Sequence, residues 1–127
     1  MIYPSTNLIT MDNSGAKKVK CIKVYKKPGR ARTGAKIGDL IQVIIVNLRN
    51  RGLIRVKKGE IYTGIVTRIS TIIFRKKKGY HIKFDLNAII LLSKKKLPIG
   101  TRFIGPSSKE LVNKHFIKID SLSTKLI

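Results

Sequence analysis

The stretch LIQVIIV, residues 40–46, indicates the fold class of this chain. Six of its seven residues are aliphatic, and five of those six are β-branched. β-Branched side chains lose rotamer freedom in a helix and pack well on a pleated sheet. Isoleucine is common throughout the chain, which has no Trp and four residues each of Phe and Tyr. We therefore predict a strand at residues 40–46 and a core filled mainly by aliphatic side chains.

Short apolar runs separated by turn residues continue toward the N-terminus. Leu8 and Ile9 form one run, and the turn-prone sequence DNSG follows at residues 12–15. Residues 19–25 form a second run. The alternation of this run slips between Cys21 and Ile22, which predicts a bulge or burial on both faces.

The same organisation continues toward the C-terminus. Residues 61–74 are strand-like, with Gly64 as a bulge or bend, and residues 83–92 return as their partner. About five short strands with glycine or basic turns between them predict a mainly β fold. We expect a small five-stranded β-barrel with basic loops.

The last part of the chain has a different pattern. Ser107 and Glu110 have the spacing of a capping box and predict a short helix over residues 108–114, followed by an extended segment at 116–119. No linker divides the 127 residues, so we predict a single domain, with the barrel at roughly 1–105 and the tail at roughly 106–127.

The charge of the chain is strongly one-sided. Lys and Arg number 28 and Asp and Glu 6, which gives a net charge of +22. Solubility alone requires a net charge of about 2 to 8 on a small domain. The excess predicts a polyanionic partner, with nucleic acid ahead of an anionic membrane. No run reaches the roughly 18 apolar residues of a membrane span, and the strand-rich pattern supplies no basic amphipathic helix.

Catalytic and metal-binding patterns are not evident in the sequence. The acidic residues stand mostly in turns or beside Gly, Asn or Lys, where capping and local pairing explain them better than acid–base work. With one cysteine, Cys21, and two distant histidines, His81 and His115, no metal-ligand spacing appears. No phosphate-loop or dinucleotide fingerprint occurs either. We predict a non-enzyme without metal or cofactor.

The cations lie in groups, most of them beside predicted turns. One such group by itself is typical of a solvated face, but five in a small domain favour contact with a folded phosphate backbone. One group, Lys94, Lys95 and Lys96, follows the last long strand. The predicted RNA contacts are Lys17, Lys18, Lys20, Lys23, Arg30, Arg32, Arg49, Arg51, Lys57, Lys58, Arg75, Lys76, Lys77 and Lys78.

Two finer expectations concern the chemistry of these contacts. The five arginines among them are expected to be the more geometrically fixed contacts, because a guanidinium suits forked phosphate binding. The stretch RKKKG, residues 75–79, is expected to form the tip of a hairpin. Tyr80 is the one aromatic expected to stack on a base, and Tyr25, Tyr62, Phe74 and Phe84 are expected mostly in the core. Backbone and shape recognition of structured RNA is favoured over base readout.

Four motifs together resemble a known family. DNSGAKKVKCIKV (12–24), VKKGEIYTGIVTR (56–68), IKFDLNAIILL (82–92) and PIGTRFIGPSSKEL (98–111) are similar, in order and spacing, to the universal large-subunit ribosomal protein of family fourteen, of bacterial or organellar type. The resemblance runs nearly end to end. One departure is Leu86, which stands where the family usually has glycine and which argues against a positive φ there.

The resemblance implies a five-stranded barrel that binds large-subunit ribosomal RNA and takes part in bridges to small-subunit ribosomal RNA. It further implies ribosomal proteins of families three and nineteen as neighbours. A ribosome-silencing factor is expected to dock on a face containing Thr101, Arg102 and Lys118. A free-standing barrel that binds RNA or single-stranded nucleic acid is the alternative.

The expected location follows from composition and from the bacterial-like motifs. The chain is rich in Ile and Lys and begins without a secretory or transit-peptide pattern. These features predict a gene carried by an organelle genome and a place in the mitochondrial ribosome, with a plastid or a bacterial cytoplasm as alternatives.

Overall fold

The computed structural model describes residues 1–25, 34–114, 121–123 and 125–127, and the structural statements below concern these residues. They contain short strands and one 3-10 helix, Lys109–Lys114. In chain order the strands are β1 (Asn7–Thr10), β2 (Ala16–Val24), β3 (Leu40–Leu48), β4 (Ile61–Arg68), β5 (Ile73–Arg75), β6 (Tyr80–Ile82), β7 (Ala88–Leu92), β8 (Pro106–Ser107) and β9 (Lys125–Leu126).

Five of these strands close into a barrel in the order β1-β2-β3-β4-β7. The neighbouring pairs are antiparallel except for β1 and β7, which close the barrel in parallel with Ile9 opposite Ala88. Closure pairs the edge strands of the sheet with each other, so they are not left open to other chains. The predicted fold class and five-stranded barrel are confirmed.

The interior of the barrel is aliphatic and follows the alternation of β3. Ile41, Val43 and Ile45 are almost completely buried, and the residues between them are partly exposed. Cys21 lies opposite Val43 and is 1% exposed, so it is a core residue. Burying each large aliphatic side chain stabilises the fold by about 1.5–3 kcal/mol. Strand β7 differs, because all five of its residues are buried.

Residues 61–74 do not form the single long strand that the sequence predicts. Strand β4 ends at Arg68, and β5 pairs with β6 in a separate two-stranded sheet. In the break between them, the backbone N–H of Ser70 donates to Oδ1 of Asn87 at 2.9 Å. The Asn87 side chain thus accepts the hydrogen bond that the Ser70 N–H would otherwise donate to a neighbouring strand. The return partner is also shorter than predicted, since β7 begins at Ala88.

Gly64 does not form the bulge that its position suggested. It pairs regularly with Ile41 on one side and Leu91 on the other. The register shift in β4 falls between Val66 and Arg68 instead. The reason for glycine here is close packing, because a Cβ at position 64 would lie 2.8 Å from Cδ1 of Ile89.

The tail contains a helix at the predicted place but of another kind. A 3-10 helix spans Lys109–Lys114, and the predicted capping box does not hold it. The hydroxyl of Ser107 is 2.6 Å from that of Ser123, and the carboxylate of Glu110 binds Arg75. The predicted extended segment at residues 116–119 lies outside the described residues. Leu86 adopts no positive φ, which agrees with the expectation for that position.

Candidate nucleic-acid interface

The lysines of β2 face outward because the strand breaks its alternation in two places. Regular alternation from the buried Val19 and Cys21 would turn Lys17 and Lys23 toward the barrel interior. Register shifts lie on both sides of Lys18 and between Cys21 and Lys23. At the second shift Lys23 comes opposite Gln42, and Val24 takes the place opposite the buried Ile41.

The outcome is a line of exposed cations on the outer surface of the barrel. Lys17, Lys18, Lys20 and Lys23 are all exposed. Exposure is a requirement for the RNA contacts that the sequence predicts for them. An extra residue in one strand re-aims the side chains that follow it. The slip after Cys21 was predicted from the sequence, whereas the slip at the Lys17–Lys18 pair was not.

Arg49, at the end of β3, has partners within the protein. Its Nε donates to the backbone oxygen of Ala16 at 3.3 Å and its Nη2 to that of Thr10 at 3.4 Å. The guanidinium therefore joins the ends of β1, β2 and β3, and part of its donor set is already used. Its RNA contact remains a prediction. The other predicted contacts of this region, Arg51, Lys57 and Lys58, are exposed.

Strands β5 and β6 and the turn between them, residues 76–79, form a hairpin that we call the cationic arm. The backbone N–H groups of Lys78 and Gly79 both donate to the carbonyl of Arg75, at 3.0 and 3.1 Å. Gly79 has a φ of 69°, a left-handed conformation that closes the turn and that glycine adopts without steric cost. Lys76, Lys77 and Lys78 are exposed at this turn. The predicted hairpin tip is therefore confirmed for residues 76–79, whereas Arg75 ends strand β5 and pairs with Tyr80.

The sequence suggested that Arg75 points outward with the three lysines. In the structure it instead points toward the tail. Its Nε and Nη2 donate to the two carboxylate oxygens of Glu110 at 2.8 and 3.0 Å. Its Nη2 also donates to the backbone oxygen of Ile127 at 2.5 Å, and Nη1 donates to the Tyr80 hydroxyl at 3.0 Å. A forked arginine–carboxylate pair is geometrically specific. Arg75 is therefore an anchor that holds the arm against the tail.

The electrostatics of this anchor agree with its geometry. The hydrogen bond to Glu110 raises the pKa of Arg75 above its ordinary value. Burial by itself would raise the pKa of Glu110, but the bonds from Arg75 outweigh it and lower that pKa. The hydrogen bond from Arg75 also lowers the pKa of Tyr80. The guanidinium thus stabilises the ionised forms of the Glu110 carboxyl and the Tyr80 phenol relative to their neutral forms.

The aromatic side chains differ in part from expectation. Tyr80, the aromatic residue predicted to stack on a base, has the guanidinium carbon of Arg75 at 5.6 Å from its ring centroid, within cation–π range, and is 44% exposed. Phe74, expected in the core, is 71% exposed and lies 6.1 Å from the His81 ring. Tyr25 is 41% exposed, whereas Tyr62 and Phe84 pack against the core as expected.

A tight corner joins the DNSG and PIGTR motifs. Asp12 is fully buried, and its carboxylate accepts hydrogen bonds from the Ser14 hydroxyl at 2.7 Å and the Leu91 N–H at 3.1 Å. Burial raises the pKa of Asp12, and the bonds from Ser14 and Leu91 oppose that rise. Gly100 completes the corner, because a Cβ there would lie 2.8 Å from Oδ1 of Asn13 and 2.9 Å from Cβ of Asp12.

Asn13 displays the two residues of the predicted docking face. Its Oδ1 accepts from the N–H of Thr101 at 2.7 Å and of Arg102 at 3.3 Å. Its Nδ2 donates to the Thr101 hydroxyl at 2.8 Å. Thr101 and Arg102 are exposed on this support. The third predicted member, Lys118, lies outside the described residues, as do the predicted RNA contacts Arg30 and Arg32.

Two further features of the described segments concern function. No group of three or more His, Cys, Asp and Glu residues within them is placed to hold a metal ion. No helix within them is long and apolar enough to cross a membrane.

Comparison with known families decides the identity of the chain. A family model, ribosomal protein L14p/L23e, matches residues 1–127, the whole length. The chain belongs to this family. As an L14p/L23e protein it is a ribosomal protein, a structural constituent of the large subunit with a role in translation. The resemblance seen in the four motifs is confirmed.

Some positioning residues of this L14p/L23e protein were missed in the sequence. Asn13 carried a signal, because it lies in a turn motif, but its partner is 88 positions away. Arg68 carried none. Its Nε donates to the Pro106 carbonyl at 2.7 Å and its Nη2 to the Ile104 carbonyl at 2.9 Å, and so it holds the end of the PIGTRFIGP segment. Backbone carbonyls as partners leave no trace in the sequence.

Proposed function

We propose that this protein binds large-subunit ribosomal RNA through the exposed cations of β2 and of the cationic arm. The observation that supports this proposal is that the lysines at both places are exposed, whereas the carboxylate of Asp12 is buried and that of Glu110 is paired with Arg75. Among the described residues, no ion pair joins these exposed lysines to a carboxylate, and RNA phosphates are suitable counter-charges.

We further propose that the face around Thr101 and Arg102, extended by Lys118, belongs to the intersubunit side. Its partners there are small-subunit ribosomal RNA at a bridge and a ribosome-silencing factor, with ribosomal proteins of families three and nineteen as neighbours. The support is the family resemblance together with the Asn13 contacts, which hold the backbone of Thr101 and Arg102 in place. A side chain on a fixed backbone loses less entropy when it binds.

We also propose that the chain is one non-enzymatic domain that acts in the mitochondrial ribosome, with plastid and bacterial ribosomes as alternatives. The bacterial-type motifs and the Ile- and Lys-rich composition support this location. The buried or paired state of Asp12 and Glu110 supports a structural role for these acids.

The decisive experiment measures RNA affinity against salt and follows the protein in particles. A transcript of the cognate large-subunit RNA serves as probe, and an unrelated single-stranded oligonucleotide of equal length serves as the control. We expect log Kobs to fall with log salt by about 0.7–0.9 for each phosphate contacted. We also expect preference for the transcript and co-sedimentation with large subunits. Equal affinity for both probes, with no protein in the particles, would instead support the free-standing barrel.

A further inference from the structure

A second cationic turn follows β7 and has the geometry of a tight hairpin; we call residues 93–97 the second turn. The N–H of Ser93 donates to the Leu97 carbonyl at 2.8 Å, and the N–H of Lys96 donates to the Ser93 carbonyl at 2.9 Å. This is a three-residue loop, in which two type I turn residues precede one left-handed residue. Lys94, Lys95 and Lys96 form the loop, and all three are exposed.

The left-handed position of this loop holds an unfavourable residue. Lys96 has a φ of 59°. In that conformation the Cβ of an L-residue crowds the backbone, and glycine or asparagine is the usual choice. The cationic arm places Gly79 at its left-handed position. Within the described ranges, Ser5 and Lys96 are the two non-glycine residues with positive φ. Strain of this kind persists where something else favours the residue.

The charge of the second turn has no counterpart within the described parts of the protein. No carboxylate described there forms an ion pair with the three lysines. Four of the acids described have other contacts, which are the Ser14 hydroxyl for Asp12, the Lys36 N–H for Asp39, the Tyr62 hydroxyl for Glu60 and the Arg75 guanidinium for Glu110. Three adjacent ammonium groups repel one another, so an external anion is their natural partner.

The base of the second turn is rigid. The N–H of Ile99 donates to the Leu91 carbonyl at 3.1 Å, and Leu92 pairs with Pro98. The N–H of Leu91 donates in turn to the buried carboxylate of Asp12. The three lysines therefore project from the barrel wall on a fixed support. A fixed convex tip suits a groove or bend of folded RNA, where several phosphates converge, better than it suits a flat lipid surface.

We propose that the second turn is a separate phosphate-binding element for RNA, and that Lys96 takes the left-handed position because its ammonium contacts a phosphate. This inference rests on the proposed RNA-binding function. It adds a binding element that is distinct from β2 and from the cationic arm, and it gives a reason for the unfavourable backbone at position 96.

The test uses the full chain and compares Lys96→Gly with Ser5→Gly. Both changes relieve the backbone strain of a positive φ at an exposed residue, but only Lys96→Gly removes a charge. We expect each to raise the Tm by about 2–5 °C. With the large-subunit transcript as probe, Lys96→Gly lowers the salt slope by about 0.7–0.9 and the affinity at 0.15 M salt about fourfold. Ser5→Gly leaves both unchanged.

Lys96→Asn serves as a second variant, because asparagine tolerates the left-handed region and adds less flexibility than glycine. It is expected to lose the same RNA affinity as Lys96→Gly. A wild-type salt slope in both position-96 variants overturns this inference and leaves the proposed function intact. The absence of salt-dependent RNA binding in the wild type overturns the proposed function itself. Loss of binding to phosphatidylserine vesicles, with RNA affinity unchanged, also overturns the RNA assignment and favours a lipid surface.

Discussion

The turn of the cationic arm and the second turn carry the same lysine charge on different supports. Each has three consecutive lysines at its turn. In the arm, Gly79 takes the left-handed position, and the forked pair between Arg75 and Glu110 joins the hairpin to the tail. The second turn has Lys96 at that position and continues the barrel wall from Leu91. Equal charge in the sequence therefore does not mean equal rigidity or equal strain.

The difference lies in what holds each turn in place. The side chains of Arg75 and Glu110 are 11% and 32% exposed, so water and salt screen their attraction in part. The carboxylate of Asp12, which supports the second turn, is fully buried. We therefore expect the orientation of the arm to depend on the Arg75–Glu110 pair, whereas the second turn is held by backbone hydrogen bonds of the barrel wall.

The largest effect is expected from replacing the three arm lysines. In Lys76→Ser/Lys77→Ser/Lys78→Ser, the salt slope for the large-subunit transcript falls by about 2–3, and affinity at 0.15 M salt falls about 100-fold. The Tm stays close to that of the wild type, because the three side chains are exposed. Arg75 is kept, since its loss would release the arm as well. A triple arginine variant at the same positions, which retains the charge, serves as control; an unchanged slope in the serine variant would remove the arm from the interface.

An intermediate effect is expected from Glu110→Gln, which weakens the pair with Arg75. We expect a loss of about 1 kcal/mol in the free energy of unfolding and RNA affinity about two- to fivefold lower, because the arm is less pre-organised. The folded state lowers the pKa of Glu110 from its ordinary value of 4.5. The stabilisation is therefore present above that value and is lost as the pH falls through the lowered pKa.

Thermal unfolding of the wild type and Glu110→Gln from pH 7 to pH 3 measures this effect. The Tm difference between them should be largest near neutral pH and should vanish in acid. Glu60→Gln is a matched control, since Glu60 accepts from the Tyr62 hydroxyl at 2.6 Å and lies outside the arm. A Tm difference that is constant across this pH range would show that the ion pair does not stabilise the arm.

The smallest effect is expected from Gly79→Lys, which gives the arm the chemistry of the second turn. A Cβ at position 79 meets no atom within 4 Å, so the cost is purely conformational at its φ of 69°. We expect the Tm to fall by about 2–5 °C and the salt slope to rise by up to about 0.9. Gly79→Asn, uncharged and more tolerant of this φ, should lose less stability and leave the slope unchanged. A Gly79→Lys variant with wild-type Tm would mean that the left-handed position carries little strain in this protein.

Much of the fold could be predicted because it depends on local patterns. The alternation in LIQVIIV, the slip after Cys21 and the turn at Gly79 all follow from rules that act over a few residues. The prediction of one strand over residues 61–74 was wrong for a non-local reason. Asn87, which satisfies the N–H of Ser70, is 17 positions further along the chain.

The sequence predicted which residues supply the positive charge of the candidate site, but it did not predict which of them are bound within the protein. The lysines of β2 and of the arm lie outward because an ammonium group is costly to bury, and this follows from residue type alone. Arg75 has the same charge, but a guanidinium offers several fixed donors to one carboxylate and is readily recruited inside a protein. Which carboxylate it meets depends on the tail returning to the arm, a contact that spans 35 positions.

By itself, the sequence determined a mainly β chain with a large net positive charge, because hydrophobic alternation, turn residues and net charge are properties of short stretches and of sums. Its four motifs resembled the ribosomal family that the family model then confirmed. The tertiary structure alone decided which cations anchor the protein and which remain outside, and it showed that Lys96 lies in a left-handed conformation. The anchoring of Arg75 depends on Glu110, 35 positions further along the chain, and such a long-range contact cannot be read from a local pattern.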